Sequence, residues 1–116
     1  KIAGDAIHGG YFTNHYSPDD PRPEVQDWVN KYRAKHGQAP DALATLGYDA
    51  ASLLIEALRQ AERPEPKLIR DALAQLHDFP CVSGSITFDE DGNPIKSAAV
   101  LQYTADGQRF VATVTP

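Results

Sequence analysis

Cysteine is almost missing: Cys81 stands alone, so no internal disulfide can form, and one thiol does not separate an oxidising from a reducing compartment. Its plain reading is a small apolar residue in a core or loop rather than a reactive nucleophile. Methionine is absent altogether. No apolar run approaches the roughly 20 residues that a membrane-crossing helix needs. Positive charge is scarce as well: 11 Lys and Arg face 16 Asp and Glu, and a formal charge of −5 leaves no basic footprint for nucleic acid, which is therefore not an expected partner.

Signatures of catalysis and metal binding are lacking too. There is no serine nucleophile elbow and no HExxH, and Gly9-Gly10 has neither the third glycine nor the following helix that a phosphate cradle requires. His8, His15, His36 and His77 are scattered, with no pair at helical ligand spacing and no cysteine partner, so each reads as a surface or capping residue. Asp89 to Asn93 places acidic and amide oxygens in the manner of a calcium loop. Counted from Asp89, however, the sixth and twelfth positions are Pro94 and Val100, where such a loop needs glycine and a bidentate glutamate, and a solvated turn is the better reading. No catalytic residue, metal ligand or cofactor is assigned, and nothing supports an enzyme.

What remains is the composition of an ordinary α/β domain, 41% hydrophobic and 23% charged over 116 residues, a length that permits one core. Lys1 to Asp5 is too short to complete an element before its glycine, and the chain reads as a piece of something longer. Tyr11-Phe12-Thr13, aromatic and β-branched, predicts a short strand, with Tyr11 and Phe12 in a core and Tyr16 at a surface. Ser17 to Pro23 carries three prolines and two aspartates and predicts an extended connector.

From Pro23, the residues Val25, Trp28, Val29 and Tyr32 follow the i, i+3, i+4, i+7 spacing of one helix face, and Gly37 ends it. A longer helix follows Pro40 with Asp41 as its cap. Its wide stripe of Leu43, Leu46, Ala50, Leu53, Leu54, Ala57, Leu58 and Ala61 predicts burial on more than one side. Gly47 costs about 1 kcal/mol in such a helix, so a close backbone approach or a ligand is expected near Gly47-Tyr48-Asp49. Arg63 to Pro66 breaks the pattern, and Leu68, Ile69, Ala72, Leu73 and Leu76 restart it. Beyond Gly84 the period falls to two, with Ile86 and Phe88, a turn at Asp91 to Pro94, a strand from Ala98 to Tyr103, and a reversal at Ala105-Asp106-Gly107 into Phe110 to Val114. Three helices and so few strands leave apolar faces that only absent sequence could cover.

Three stretches carry a family resemblance: Gly9 to Pro18 with the helix through Val29-Asn30-Lys31-Tyr32 and its end at His36 to Pro40; Leu46-Gly47-Tyr48-Asp49-Ala50-Ala51; and Gly84 to Pro94. In order, and over essentially the whole chain, they resemble the C-terminal part of periplasmic solute-binding proteins of the leucine/isoleucine/valine type. The resemblance implies an α/β fold that is part of a two-lobed type I periplasmic binding protein, with three-layer αβα lobes joined by hinge strands. It divides the chain into 1–17, a second-lobe strand and hinge crossing; 18–94, first-lobe helices and strand; and 95–116, a second hinge crossing and second-lobe hairpin. It further implies a periplasmic protein that captures a small amino acid and delivers it to an ABC permease in the membrane, working with an absent N-terminal portion of the same protein. A ligand-sensing receptor domain of the same fold is the alternative. The site residues it implies here are Tyr48, as cleft wall, and Asp49 beside it.

Overall fold

The computed structural model describes residues 2–116. Sequence reasoning expects no element before Ala6, but a short 3-10 turn forms over Gly4–Ile7, where the His8 N–H reaches the Asp5 carbonyl at 3.1 Å. Lys1 lies outside the described residues. Strand β1 follows at Tyr11–Asn14, then helices α1 at Pro23–His36, α2 at Ala42–Gln60 and α3 at Pro66–Ala74. A two-strand hairpin of β2 (Thr87–Phe88) and β3 (Pro94–Ile95) leads to β4 (Ala98–Thr104) and β5 (Gly107–Val114).

The helix ends lie where local chemistry puts them. Pro23 opens α1, where its missing N–H costs nothing, and Gly37 closes it at φ 75° with its N–H on the Arg33 carbonyl. Asp41 caps α2: its carboxylate accepts from the Ala44 N–H at 2.7 Å, satisfying one of the free donors of the first turn. Pro66 opens α3 in the same way as Pro23 opens α1.

The sheet order is β1-β4-β5, antiparallel throughout, with Tyr11 opposite Gln102 and Ala98 opposite Val114, and a bulge between Val100 and Leu101. The separate β2-β3 hairpin pairs Thr87 with Ile95, and Ile86 makes an isolated bridge to Phe79 instead of extending β2. Asp89 orders the intervening turn by accepting from the Asn93 backbone and side chain and from the Asp91 N–H, which holds its carboxyl below the usual carboxylate range. The acidic loop's carboxylate is thus spent on its own turn.

Two small cores form. One joins Tyr16, Val25, Val29 and Val82, with Trp28 against it; the other joins Leu53, Leu76, Cys81 and Ile86, flanked by Leu73, Phe79 and Phe88. The helices pack on one another and on the small hairpin, α2 on α3 and α3 on β2, whereas the strands of the three-stranded sheet pack principally among themselves.

Four expectations change. Tyr11 is 65% exposed rather than core, because β1 is an edge strand with nothing laid across that face; Phe12 finds cover by stacking on Tyr103 at 4.6 Å. Tyr16, expected at a surface, is buried between α1 and Val82, with its hydroxyl donating to the Pro40 carbonyl at 3.2 Å. Burial, with the Asp19 charge adding to it, pushes that phenol up to about 12. The broad stripe of α2 is covered on one side only: Thr45, Asp49, Leu53 and Ala57 face inward, while Leu43, Leu54 and Leu58 lie open. Nothing comes within 4 Å of where a Gly47 side chain would stand, so no close approach explains that glycine.

The shape follows from these open faces. The radius of gyration is 16.6 Å and the molecule measures 54 × 33 × 26 Å, against about 13 Å expected for a compact domain of this length. Its accessible surface of 7836 Å² likewise exceeds the roughly 6,200 Å² of a compact protein of its mass. The isolated 116-residue chain is therefore expected to bind an apolar dye and to melt without a sharp calorimetric transition. A single cooperative endotherm without dye binding would contradict this.

Candidate functional site

A concavity of about 1000 Å³ is an open groove between α1, α2 and the loop from Phe79 to Ser85. Tyr48 and Asp49 both line it, so the structure brings the two predicted site residues to one wall. Their environments differ sharply. Tyr48 is 47% exposed, with part of its ring against Trp28; Asp49 is 1% exposed. Adjacent positions on a helix point about 100° apart, which is why one faces the groove and the other the interior.

Both oxygens of Asp49 are engaged by backbone. Oδ1 accepts from the Val82 N–H at 2.9 Å and Oδ2 from the Ser83 N–H at 3.0 Å. A carboxylate can be taken from water in this way because two charge-assisted bonds replace its hydration, and successive amides of a turn present their N–H groups side by side. The same loop is gripped from a second direction. Arg22 donates from Nε to both oxygens of the buried Asp20 carboxylate, at 2.9 and 3.1 Å, and its Nη2, which lies 2.9 Å from Asp20 Oδ2, donates to the Val82 carbonyl at 3.3 Å. Asp20 is itself fixed by the Arg22 backbone N–H at 3.0 Å. Val82 is thus held at its N–H by α2, at its carbonyl by the connector, and at its side chain by Tyr16, Val25 and Val29.

At the loop's far end Gly84 has φ 119°, and a side chain there would meet the Ser97 hydroxyl. The backbone conformation is what favours glycine at this position, since the hydroxyl can rotate away. Lys96 is partly withdrawn from water beside this loop. Burial lowers its ammonium pKa, the negative charge of Asp49 working the other way. Cys81, in the same loop, is pushed up to about 12 by burial and then by the Asp49 charge.

Above Tyr48 an aromatic column runs along the groove. Its ring stacks on Trp28 at 4.3 Å, Trp28 meets Tyr32 edge-on at 5.2 Å, and Tyr32 lies against His36 at 4.3 Å. The indole Nε1–H donates to the Thr45 hydroxyl at 3.0 Å, and that hydroxyl donates to the Asp41 carbonyl at 3.0 Å. Sequence reasoning counted Trp28 only as a core residue. Its spacing from Val25 and Val29 is that of a core face, and no local signal marks it as meeting Tyr48. The Asp20–Arg22 pair was missed for a related reason, since the connector reads as turn residues alone.

The chain matches the periplasmic binding protein family over residues 1–108. It is 33% identical over 113 residues to Leu/Ile/Val-binding protein homolog 1 of Brucella suis, a match spanning 93% of this chain and 29% of that protein. Among solved structures it superimposes on a leucine-binding protein of Thermotoga maritima with a TM-score of 0.84 and 34% identity, over 99% of this chain and 33% of the other. A substrate-binding protein of an ABC transporter from Desulfitobacterium hafniense, in complex with Leu, gives a TM-score of 0.84 at 27% identity, over 90% and 32%. The chain therefore spans about a third of the length of the proteins it matches.

Two outcomes follow from the loop geometry. In the complete protein, Asp49→Ala strands two buried N–H groups and is expected to destabilise the fold by about 2 to 4 kcal/mol, read by urea denaturation; a loss within experimental error would show that the loop does not depend on the carboxylate. Cys81, held neutral in the fold against a free-thiol value near 9, is expected to resist a thiol reagent at pH 8 until the protein is unfolded. Between about pH 9 and 12 the folded state binds more protons at this site than the unfolded one, so stability from Cys81 is lost as pH rises through that range.

Proposed function

The chain belongs to the periplasmic binding protein family, solute-binding rather than catalytic proteins with the type I two-lobed fold, and on that premise we propose that it is the C-terminal part of a protein that captures a branched-chain or related amino acid and hands it to an ABC permease. The cellular setting of this role is the periplasm. The relatives named for leucine, isoleucine and valine, and the neighbour holding Leu, support the solute class.

The observation that carries this reading to particular residues is the placement of Tyr48. It is half-exposed on the groove wall, immediately after a glycine that leaves the neighbouring surface bare, and backed by an aromatic partner. An aliphatic solute needs an apolar face, and a zwitterion needs fixed polar partners for the charges it carries out of water. Tyr48 offers a face and a hydroxyl together. Asp49, with both oxygens on the loop, would serve the same site by holding its wall, the partners for the solute's own charges coming from the remainder of the protein.

The division of the chain follows the same reading. Residues 1–17 would carry a second-lobe strand and one hinge crossing, 18–94 the first-lobe helices and strand, and 95–116 the other crossing and the second-lobe hairpin. Support comes from β1 and β4, which pair in register although more than 80 positions apart in sequence, while α2 packs on α3 and α3 on the small hairpin. Closure would then be a hinge motion, favoured by a solute that touches both lobes only when they meet.

In the complete protein, Tyr48→Ala is expected to weaken solute binding by about tenfold or more, measured by calorimetry with L-leucine, L-isoleucine and L-valine; unchanged affinity for a ligand that binds the parent would remove Tyr48 from the site. The 116-residue chain alone is expected to bind none of the three measurably.

A further inference from the structure

Tyr48 does not choose its own position. On a helix face open to solvent, a tyrosine samples several rotamers, and ordering it on binding a ligand costs free energy that subtracts from affinity. Here one face of the ring is covered by the Trp28 indole, stacked at 4.3 Å with 29° between the planes. The indole is in turn locked. Its Nε1–H is on the fully buried Thr45 hydroxyl, one turn before Tyr48 on the same helix, and that hydroxyl is on the Asp41 carbonyl at the helix start. Tyr32 meets the indole edge-on. From α1, then, Trp28 reaches across to α2 and makes one bond and one stack on two residues a turn apart, and Tyr48, half-exposed, lines the groove.

From this arrangement we infer that Trp28, which lines the same groove, is a positioning residue for solute binding: it fixes the Tyr48 ring in its binding orientation before the solute arrives. This rests on the reading of Tyr48 as a solute contact. It goes beyond that reading by assigning part of the affinity to a residue on a different helix, whose indole N–H as well as its ring takes part. Leucine at position 28 would fill much of the same space yet offer neither stack nor bond. Phenylalanine would keep the stack and lose the bond.

The test is a double-mutant cycle in the complete protein, made of the parent, Trp28→Leu, Tyr48→Ala and the pair, titrated calorimetrically with L-leucine. A stacked pair of this kind stabilises by an amount equivalent to about two- to tenfold in affinity, so Trp28→Leu is expected to weaken binding by that factor in the parent and by less than about twofold once Tyr48 is alanine. Trp28→Phe should fall between parent and Trp28→Leu. Equal losses in both backgrounds would mean that Trp28 acts otherwise than through Tyr48, by general stability or by a solute contact of its own, and would overturn the inference while leaving Tyr48 in the site. No loss from Tyr48→Ala would instead defeat the reading on which it rests.

A second measurement needs no ligand and no fully stable leucine variant. With 3-fluorotyrosine incorporated, the Tyr48 fluorine resonance, assigned by its loss in Tyr48→Phe, is expected to shift and change width in Trp28→Phe and Trp28→Leu. If it is unaltered in both, Trp28 does not set the ring, and the inference fails even where L-leucine does not bind the parent.

Discussion

Val82 and Ser83 present two backbone N–H groups with no strand or helix to receive them, and the Asp49 carboxylate receives both from the middle of α2. Much of the helical half depends on this contact. Without it the loop from Phe79 to Gly84 would have to find water for its amides, and Val82 could not remain in the core beside Tyr16, Val25 and Val29. A buried charge is normally a liability, because an ion removed from water loses several kcal/mol of hydration. Two convergent amides turn it into a specific joint instead, since each carboxylate oxygen accepts one of them and the negative charge strengthens both bonds.

The joint explains why the groove has a fixed wall although the molecule is open elsewhere. Arg22 grips the Val82 carbonyl from the connector, Tyr16 fills the space below, and Ser97 stands against Gly84 where the chain turns towards β4. The end of β1 and the beginning of β4 therefore converge on the loop that Asp49 holds, and Tyr48 is the next residue along the same helix. Proteins that open and close on a solute need such a rigid element beside a mobile one, because a soft loop would absorb the displacement instead of passing it on.

Local chemistry was readable because its partners lie within a turn or two. Gly37, Asp41 and the prolines at 23 and 66 set helix ends by backbone rules that do not depend on the rest of the fold, and the extended run from Ala98 to Tyr103 forms β4. Tyr48 and Asp49 were singled out from a resemblance, and that could not separate their parts: one carboxylate's partners lie 33 and 34 positions away, in a loop without periodicity. Tyr11 and Tyr16 exchanged places for a similar reason. Composition says that a tyrosine wants cover for its ring, but which of two near each other receives it is decided by where α1 and Val82 come to rest.

The uncovered face of α2 follows the same logic at a larger scale. Leu43, Leu54 and Leu58 form a stripe as apolar as the buried one, and a sequence can announce such a stripe without saying whether its cover lies within the chain. For this chain, which spans only about a third of the proteins it matches, cover from elsewhere in the polypeptide is the economical account of a helix apolar on two sides. Burying large aliphatic side chains is worth about 1.5 to 3 kcal/mol each, comparable in size to the Asp49 joint. The joint and the stripe therefore act at different levels. The first holds a loop in one conformation within this chain, and on the proposed function the second would drive the helical half to dock onto the rest of the protein, so that a wall containing Tyr48 could close on a solute.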